Sequence, residues 1–158
     1  MPGEASVDVK AAVIREKSGK FLIEDLSLEA PRSDEVLIRV AGVGVCHTDL
    51  VCRDQYFPVP LPCVFGHEGS GIVESVGKSV TKVKPGDRVV LSFLSCGHCE
   101  PCLEHSPGYC HELYDCNFAA TRLDASTTLR KGDEVIHGNF FNQSSFATHA
   151  LATEKNTV

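Results

Sequence analysis

Residues 35–45 read EVLIRVAGVGV, a long run rich in β-branched side chains. A continuous run of this kind is typical of a β-strand that is buried on both faces. Glycine and proline turn signals separate it from other apolar runs, and no long amphipathic helix pattern interrupts them. The pattern predicts a mostly β domain that is antiparallel and barrel-like. The other predicted strands lie at Val9–Ile14, Phe21–Leu28, Gly71–Val83 and Arg88–Phe93.

The remaining segments have weaker patterns. One short helix is predicted over residues 49–54, with the hydroxyl of Thr48 as its cap. Residues 117–134 are polar without clear periodicity, which predicts a surface excursion, whereas residues 140–151 return to a strand-like alternation. Residues 154–158 include no terminating element, and we therefore expect the sequence to be a shortened piece of a longer chain.

The composition is that of a soluble globular protein of one domain, or of one domain with a small lobe. The chain has 158 residues, of which 42% are hydrophobic and 23% are charged. Its net charge of −6 argues against nucleic-acid binding through phosphate contacts. It has no apolar run long enough to span a membrane and no apolar leader at its start, which predicts a cytoplasmic protein. The 8 cysteines therefore indicate metal ligands rather than disulfides.

Four cysteines follow the spacing C-x2-C-x2-C-x7-C. Four thiolates on one loop can surround a tetrahedral Zn²⁺, and such a site has no open coordination position. The favoured interpretation is a structural zinc that contributes to folding rather than to chemistry. Iron also suits a set of four thiolates, and reduced cysteines without a ligand are the plainest alternative. The four residues are Cys96, Cys99, Cys102 and Cys110.

The lobe that contains these cysteines, at about residues 94–116, is rich in glycine, proline and serine, which predicts irregular structure. Its histidines are expected to be solvated, because four thiolates already close the site. Cys116 is an alternative to Cys110 as the fourth ligand. Cys52 and Cys63 have no partners at ligand spacing and are expected to be small buried hydrophobic residues. The histidines of the lobe are His98, His105 and His111.

A second candidate metal site is incomplete. Cys46 follows directly on the strand of residues 35–45, and His67 lies in the sequence GHEG further along the chain. Side chains at strand ends are held rigidly and can converge, so a Cys46 thiolate and a His67 imidazole could supply two zinc ligands. A catalytic zinc needs three protein ligands and an open position for water or substrate, so one ligand is missing.

The order of motifs along the chain resembles that of the zinc-dependent medium-chain alcohol dehydrogenases. The resemblance is carried by CHTD at 46–49, GHEGSGIVESVG at 66–77, GDRVV at 86–90 and the four-cysteine loop. Within that family the chain is most similar to the aryl (benzyl-type) alcohol dehydrogenases, through VAGVGVCHTDLVCRDQYFPVPLP and FFNQSSFATHAL. The resemblance implies a truncated catalytic domain with a GroES-like β-barrel core over residues 1–158, lacking the Rossmann domain that follows it in the family.

The resemblance also implies roles at the second metal site. Cys46 and His67 match the first two ligands of the family's catalytic zinc, whose third ligand, a cysteine, is expected beyond residue 158. Asp49 matches the carboxylate that orients the histidine ligand through its other ring nitrogen. Glu68 matches a residue that lies close to the metal and enters its coordination shell transiently.

Three further positions match residues that contact the reactants in the family. Thr48 matches the hydroxyl that takes the proton of the substrate alcohol, and His47 matches the position that contacts the cofactor pyrophosphate. Phe93 falls where the family lines its substrate pocket. Many relatives carry a histidine three residues after this hydroxyl that passes the proton to solvent. Val51 stands there in this chain, so water or a different group must serve.

The function implied by the resemblance is zinc-dependent oxidation of a primary, aromatic alcohol to the aldehyde, with NAD as hydride acceptor. The partners are then the small-molecule alcohol and aldehyde, with no nucleic acid and no membrane, and the parent enzyme is a homo-oligomer. Gly42-Val43-Gly44 only mimics the start of a dinucleotide loop, since His47 occupies the third glycine position. We therefore expect half an active site that is inactive alone. The alternative is a stand-alone zinc-stabilised β scaffold or interaction module, which needs only the four-cysteine loop.

Overall fold

A computed structural model describes residues 6–158. The first residues, MPGEA, bear on the prediction that the chain has no apolar leader, and they lie outside the described residues. Within residues 6–158 no helix is both long enough and apolar enough to cross a membrane.

Short strands make up most of the regular structure and short helices lie between them. The strands are β1 (Val7–Ile14), β2 (Leu22–Leu28), β3 (Glu35–Val43), β4 (Cys63–Val64), β5 (Gly69–Val76), β6 (Arg88–Val90), β7 (Leu129–Lys131), β8 (Glu134–Ile136) and β9 (His149–Thr153). The α-helices are α1 (His47–Arg53), α2 (Glu100–Leu103) and α3 (Leu113–Asn117). Single 3-10 turns lie at Pro107–Tyr109, Phe140–Asn142 and Glu154–Asn156.

The strands form two sheets with antiparallel pairing, which confirms the predicted mostly β fold. One sheet has the order β4-β1-β2-β7-β8 and the other has the order β6-β5-β3-β9. Leu37 and Leu151 of the second sheet belong to the same buried cluster as Val13 and Leu26 of the first. The two sheets therefore share a core, and burial of such apolar side chains is the main force that holds them together.

The central strand β3 is less buried than its sequence predicts. Its first half, Glu35–Ile38, is buried, but most residues from Arg39 onward are exposed or half-buried. The prediction of burial on both faces along residues 35–45 is therefore wrong for the second half. The reason is that β9 pairs with β3 only as far as Arg39, whereas β5 continues alone to Val43.

The helix after β3 begins earlier than predicted. It covers His47–Arg53 with Cys46 at its N-cap, so Thr48 lies inside the first turn and is not the cap. The backbone N–H of Cys46 donates to Oδ2 of Asp49 at 3.1 Å. A carboxylate one turn into the helix, rather than the threonine hydroxyl, therefore organises the start of the helix. This arrangement fixes the main chain of Cys46 relative to Asp49.

Residues 117–134 are not the simple surface excursion that their composition predicts. Arg122 is buried, and its guanidinium pairs with the buried carboxylate of Glu35 and with the half-buried carboxylate of Glu29. The segment also supplies β7, which pairs with β2 and β8. The charged residues of the segment suggest solvation, and most of them are exposed, but the charge of Arg122 is neutralised inside the fold.

Two other segments also differ from their predictions. The lobe at residues 94–116 contains α2 and the start of α3, although its composition predicts irregular structure. In residues 140–151 the strand begins only at His149. Asn139 and Phe141 take left-handed backbone conformations, with φ of 60° and 52°, which a strand cannot accommodate.

The predicted strand at Arg88–Phe93 is shorter than expected. Only Arg88–Val90 pairs with β5, and Leu91 then forms an isolated bridge with Thr157. Residues 154–158 are therefore structured. They form a 3-10 turn, and the bridge between Leu91 and Thr157 holds them beside β6.

Candidate metal centres

The end of β3 and the loop before β5 bring three donor side chains together. Cys46 lies between β3 and α1, whereas His67 and Glu68 directly precede β5. A sulfur, a ring nitrogen and a carboxylate oxygen from these three residues all lie within 4.8 Å of one another. The structure thus places the two ligands expected from the sequence at one point, with a carboxylate beside them.

Asp49 is the fully buried carboxylate behind this cluster. Its Oδ2 accepts from the backbone N–H of Cys46 at 3.1 Å, and its Oδ1 accepts from that of Gly66 at 3.0 Å. The same Oδ1 lies 3.2 Å from Nδ1 of His67. A proton on Nδ1 shared with this carboxylate leaves the lone pair of Nε2 free to bind a metal. Asp49 therefore positions both candidate ligands, Cys46 through its backbone N–H and His67 through Nδ1 of its ring.

Cys46 and His67 each favour the charged form of the other. Hydrogen bonds from the backbone N–H and hydroxyl of Thr48, followed by a contact with His67, lower the pKa of the Cys46 thiol. Burial of the His67 ring opposes its protonation, but the Asp49 carboxylate and Cys46 outweigh burial and raise the pKa of His67. The cluster therefore attracts positive charge, and a cation bound between the donors would replace the ring proton. Thiolate, imidazole and carboxylate are all zinc ligands, so the residues present fit zinc.

Two residues that the sequence analysis did not single out hold the loop of His67. Gln143 is buried, and its Oε1 accepts from the backbone N–H of Gly69 at 3.0 Å. Its Nε2 donates to the carbonyls of His67 at 3.0 Å and Ser92 at 3.2 Å. Phe141 stacks on the His67 imidazole, with ring centroids 4.5 Å apart and 26° between the planes. An amide inside the aromatic run FFNQSSF is the signal that could have marked Gln143, because a buried amide needs specific partners.

A cleft of about 490 Å³ opens beside the donors. Its walls include His67, Glu68, Phe93 and Phe141. Two phenyl rings and two donor groups in one cleft suit an unsaturated molecule that carries a metal-binding oxygen. A larger cleft of about 640 Å³ lies over β1, β2 and β3, but it is lined by none of the three donors.

The other expected site residues take different positions. Thr48 is half-buried, with Oγ1 3.6 Å from Sγ of Cys46, whereas His47 is exposed at the start of α1. Val51 is half-buried within α1. Gly44 forms no phosphate loop, because its N–H donates to the carbonyl of Glu68 at 3.1 Å.

The four-cysteine loop also comes together as one cluster, with one sulfur from each of the four residues within 4.8 Å of the others. The backbone N–H groups of His98 and Cys99 lie 3.5 Å and 3.4 Å from the sulfur of Cys96, and that of His111 lies 3.5 Å from the sulfur of Cys99. The His98 N–H lowers the pKa of Cys96, and the His111 N–H brings the pKa of Cys99 to about 6. Burial raises the pKa of Cys102 to about 11. Amides directed at sulfur stabilise the thiolates of Cys96 and Cys99, and a set of four cysteine sulfurs at one point fits zinc.

The residues around this cluster have other environments. Cys116 is buried next to the four sulfurs, where burial raises the pKa of its thiol to about 12, and it does not belong to the set of four that lie within 4.8 Å of one another. Nε2 of the exposed His98 lies 2.8 Å from a carboxylate oxygen of Glu112, and both residues approach Cys96.

His105 and His111 are exposed, as predicted. Buried positions are likewise found for the two cysteines outside both clusters, Cys52 and Cys63.

Comparison with known proteins gives a family for this architecture. The sequence model of the family described as "Alcohol dehydrogenase GroES-like domain" matches residues 32–157 of the chain. The chain belongs to the alcohol dehydrogenase GroES-like domain family. This result confirms the family and the fold that the motifs predict.

Relatives of this alcohol dehydrogenase domain are similar along nearly its whole length. It is 54% identical to the geraniol dehydrogenase of Castellaniella defragrans over 153 residues, which are 96% of this chain and 41% of that protein. It is similar to the structure of an alcohol dehydrogenase zinc-binding domain protein from Burkholderia ambifaria, with a TM-score of 0.95, 48% identity and coverage of 98% of this chain and 42% of that one. For the benzyl alcohol dehydrogenase of Acinetobacter calcoaceticus these values are 0.91, 46%, 96% and 41%. The chain thus spans about two-fifths of the length of the relatives it matches.

Proposed function

We propose that the chain is the zinc- and substrate-binding domain of an NAD-dependent alcohol dehydrogenase. The observation that carries the proposal is the donor set of Cys46, His67 and Glu68 in a cleft walled by Phe93 and Phe141. Cys46 and His67 would supply two zinc ligands and Glu68 would bind only transiently, so that with a third protein ligand from elsewhere in the enzyme one position stays open for an alcohol oxygen. A scaffold module would need only the four-cysteine cluster and would have no use for this second set.

The substrate class that fits is a primary alcohol whose carbinol carbon adjoins an unsaturated carbon. Two relatives are named for geraniol and benzyl alcohol, and both alcohols carry a hydroxymethyl group on an sp² carbon. In this chain Phe93 and Phe141 line the same cleft as the donors. Aromatic side chains favour packing against a flat π-system over an aliphatic chain of equal size. We therefore assign aromatic and allylic primary alcohols, which are converted to aldehydes.

Zinc held by these donors would supply the Lewis acidity that lowers the pKa of an alcohol oxygen. The residues of the chain have separate tasks around it. Asp49 keeps the His67 ring oriented, and Oγ1 of Thr48, 3.6 Å from Sγ of Cys46, is placed to accept the hydroxyl proton as a hydrogen bond. Val51 has no titratable group, so the proton passes from Thr48 to water in this proposal.

The nicotinamide cofactor needs a binding unit of its own. The strand pairs within each sheet of residues 6–158 are antiparallel, whereas dinucleotide sites of the Rossmann type are built on parallel βαβ units. The described residues therefore do not fit the dinucleotide. We propose that another part of the enzyme binds NAD and that the exposed His47 contacts its pyrophosphate. The resemblance to the family supports a homo-oligomeric, cytoplasmic enzyme.

The four-cysteine lobe has a structural task in this proposal. Its four sulfurs lie within 4.8 Å of one another, so together they would surround a tetrahedral zinc and leave no position for substrate. We propose that residues 94–116 form a lobe whose fold depends on one tightly held zinc. The zinc in this lobe and the zinc at Cys46 then differ in role as well as in ligand set.

Cobalt substitution tests the proposal, because the visible absorption of Co²⁺ reports on its ligands. We expect two cobalt ions per chain, one tightly bound and one weakly bound. The weak ion should disappear in the Cys46→Ser/His67→Ala double variant. Benzyl alcohol should shift the visible bands of the weak ion, whereas toluene, which has the same ring without the hydroxyl, should leave them unchanged.

Two results would contradict this assignment. A weak cobalt ion that survives the double substitution would place the second site elsewhere. Bands that respond equally to toluene and benzyl alcohol, or to neither, would mean that no alcohol oxygen reaches the metal, and a zinc-stabilised scaffold would then be favoured. Turnover with NAD⁺ and benzyl alcohol does not discriminate, since we expect none from this chain alone under either hypothesis.

A further inference from the structure

Gly44 and Glu68 face each other where β3 and β5 stop pairing. The last pair in the register is Val43 with Gly69, so the next residues outward are Gly44 on one side and Glu68 on the other. The N–H of Gly44 donates to the carbonyl of Glu68 at 3.1 Å. This hydrogen bond holds the two main chains together at the edge of the Cys46 site.

The space beside Gly44 is occupied by the side chain of Glu68. A Cβ at position 44 would lie 3.2 Å from Cβ of Glu68 and would overlap its Oε2. Opposite residues on paired strands normally keep their Cβ atoms about 4.5–5.5 Å apart. The carboxylate therefore lies where any other residue at position 44 would place its first side-chain carbon.

We propose that Gly44 is a positioning residue for the metal site, because only glycine leaves room for the Glu68 carboxylate to lie within reach of Cys46 and His67. The inference rests on the proposed metal site, in which Glu68 supplies the oxygen donor. A bulkier residue at position 44 turns the carboxylate outward and leaves the cation with two protein ligands. Gly44 thus acts through Glu68 and does not touch the metal itself.

The position offers a test, because the atom that would overlap, Oε2 of Glu68, ends a flexible, exposed side chain, whereas Cβ of Glu68 at 3.2 Å needs to shift by only a few tenths of an ångström. Gly44→Ala is therefore expected to fold normally. Gly42 is a matched control two residues earlier on β3. A Cβ there would meet only Oγ of Ser70, at 3.7 Å, which is an ordinary van der Waals distance.

The experiment measures Co²⁺ binding to the weak site by visible absorption, with thermal melting recorded for each variant. We expect Gly44→Ala to bind the weak cobalt about tenfold less tightly and to change its spectrum, as losing an outer support or a ligand does. Gly42→Ala should bind as the unmodified chain does. In a Glu68→Ala background, Gly44→Ala should cause no further loss, because no carboxylate is left to displace.

Failure of this inference can be told apart from failure of the proposed function. In one outcome, Gly44→Ala binds cobalt at the weak site with the affinity of the unmodified chain, while Cys46→Ser/His67→Ala loses that ion. This pair of results would overturn the role of Gly44 and leave the site in place. A further loss of cobalt affinity caused by Gly44→Ala in the Glu68→Ala background would also overturn the role of Gly44. This double-variant test holds even if Gly44→Ala alone lowers the melting temperature. A chain that binds no weak cobalt at all would overturn both proposals.

Discussion

The four-cysteine lobe and the Cys46 site are built in opposite ways. The lobe draws all its donors from residues 96–110, and its buried residues form a small cluster of their own that consists mainly of the cysteines and Leu94. The Cys46 site draws its donors from two separate segments, which the buried Asp49 ties together, while the buried Gln143 holds the His67 segment to Ser92. The first cluster is local in sequence, and the second is assembled by the fold.

This difference predicts which structure depends on metal. The lobe has little apolar surface to bury apart from its own sulfurs, so we expect its folding to be coupled to zinc binding. The Cys46 site lies between elements that already share hydrogen bonds and core contacts, so its geometry is set before a metal binds. Loss of metal should therefore unfold the lobe and leave the second site intact but empty.

The largest effect is expected from breaking the lobe with Cys99→Ser. The variant should lose the tightly held zinc and with it coupled binding and folding energy on the scale of about 10 kcal/mol. Amide hydrogen exchange is the measurement, and the N–H of Leu94 is the reporter because it donates to Oδ1 of Asn117 across the lobe at 2.8 Å. Its protection should disappear while that of β1 and β3 remains.

The control for this variant is Cys116→Ala. Cys116 is buried in the same small cluster but lies outside the four-sulfur set. The control should lose packing energy and still retain one zinc per chain. If Cys99→Ser keeps its tight zinc and a protected Leu94 amide, the lobe folds without its metal and the contrast between the two regions does not hold.

A smaller effect is expected from Gln143→Leu, which removes a support of the assembled site. The substitution leaves the N–H of Gly69 and the carbonyl of His67 without their buried partner, whereas the carbonyl of Ser92 still accepts from Nδ2 of Asn156. Each unsatisfied buried group costs about 1–3 kcal/mol, so we expect a loss of about 3 kcal/mol in the free energy of unfolding, measured in urea. The weak cobalt site should lose affinity as well, because the loop of His67 is no longer fixed.

Ser144→Ala separates loss of stability from loss of site geometry. The Ser144 hydroxyl donates to the carbonyl of Val64 at 2.6 Å and accepts from the N–H of Phe140 at 2.9 Å. Removing the Ser144 hydroxyl should also lower stability. The hydroxyl forms no hydrogen bond with His67 or with the residues on either side of it. Equal losses of cobalt affinity in the two variants would show that Gln143 acts only through general stability.

The two regions were also unequally accessible to sequence analysis. The cysteine spacing predicted the local cluster, because all its donors lie within one short segment. The convergence of Cys46 and His67 was anticipated from strand ends and from the family resemblance, and a mostly β fold followed from the apolar runs. Pairings across the fold could not be predicted from the sequence: Arg122 pairs with Glu29 and Glu35, which lie far earlier in the chain.

Backbone conformation was the second source of error. Residues 140–151 look like a strand because aromatic and small residues alternate there. The observed chain turns through left-handed conformations at Asn139, Phe141, Asn142 and Ser144 before β9 starts. Asparagine tolerates this region, but phenylalanine does so only when its surroundings hold it. The sequence offered no means of seeing that the His67 ring is one of those surroundings.

That strained phenylalanine gives the smallest expected effect, from Phe141→Leu. The change removes a ring that stacks 4.5 Å from the imidazole and meets Phe118 and Phe140 edge-on at 4.9 Å, but leucine fills part of the same space and keeps apolar packing on those two rings. An aromatic pair is worth about 0.5–1.5 kcal/mol beyond its buried area, so we expect a loss of about 1 kcal/mol in stability. Cobalt affinity at the weak site should fall a few-fold, as the ring of His67 gains freedom.

Phe57→Leu is the matched control, because Phe57 packs on Phe118 at 4.5 Å. An equal fall in cobalt affinity in the control would mean that aromatic packing supports the fold alone, whereas a fall confined to Phe141→Leu would show that the assembled site depends on a contact absent from the local cysteine cluster.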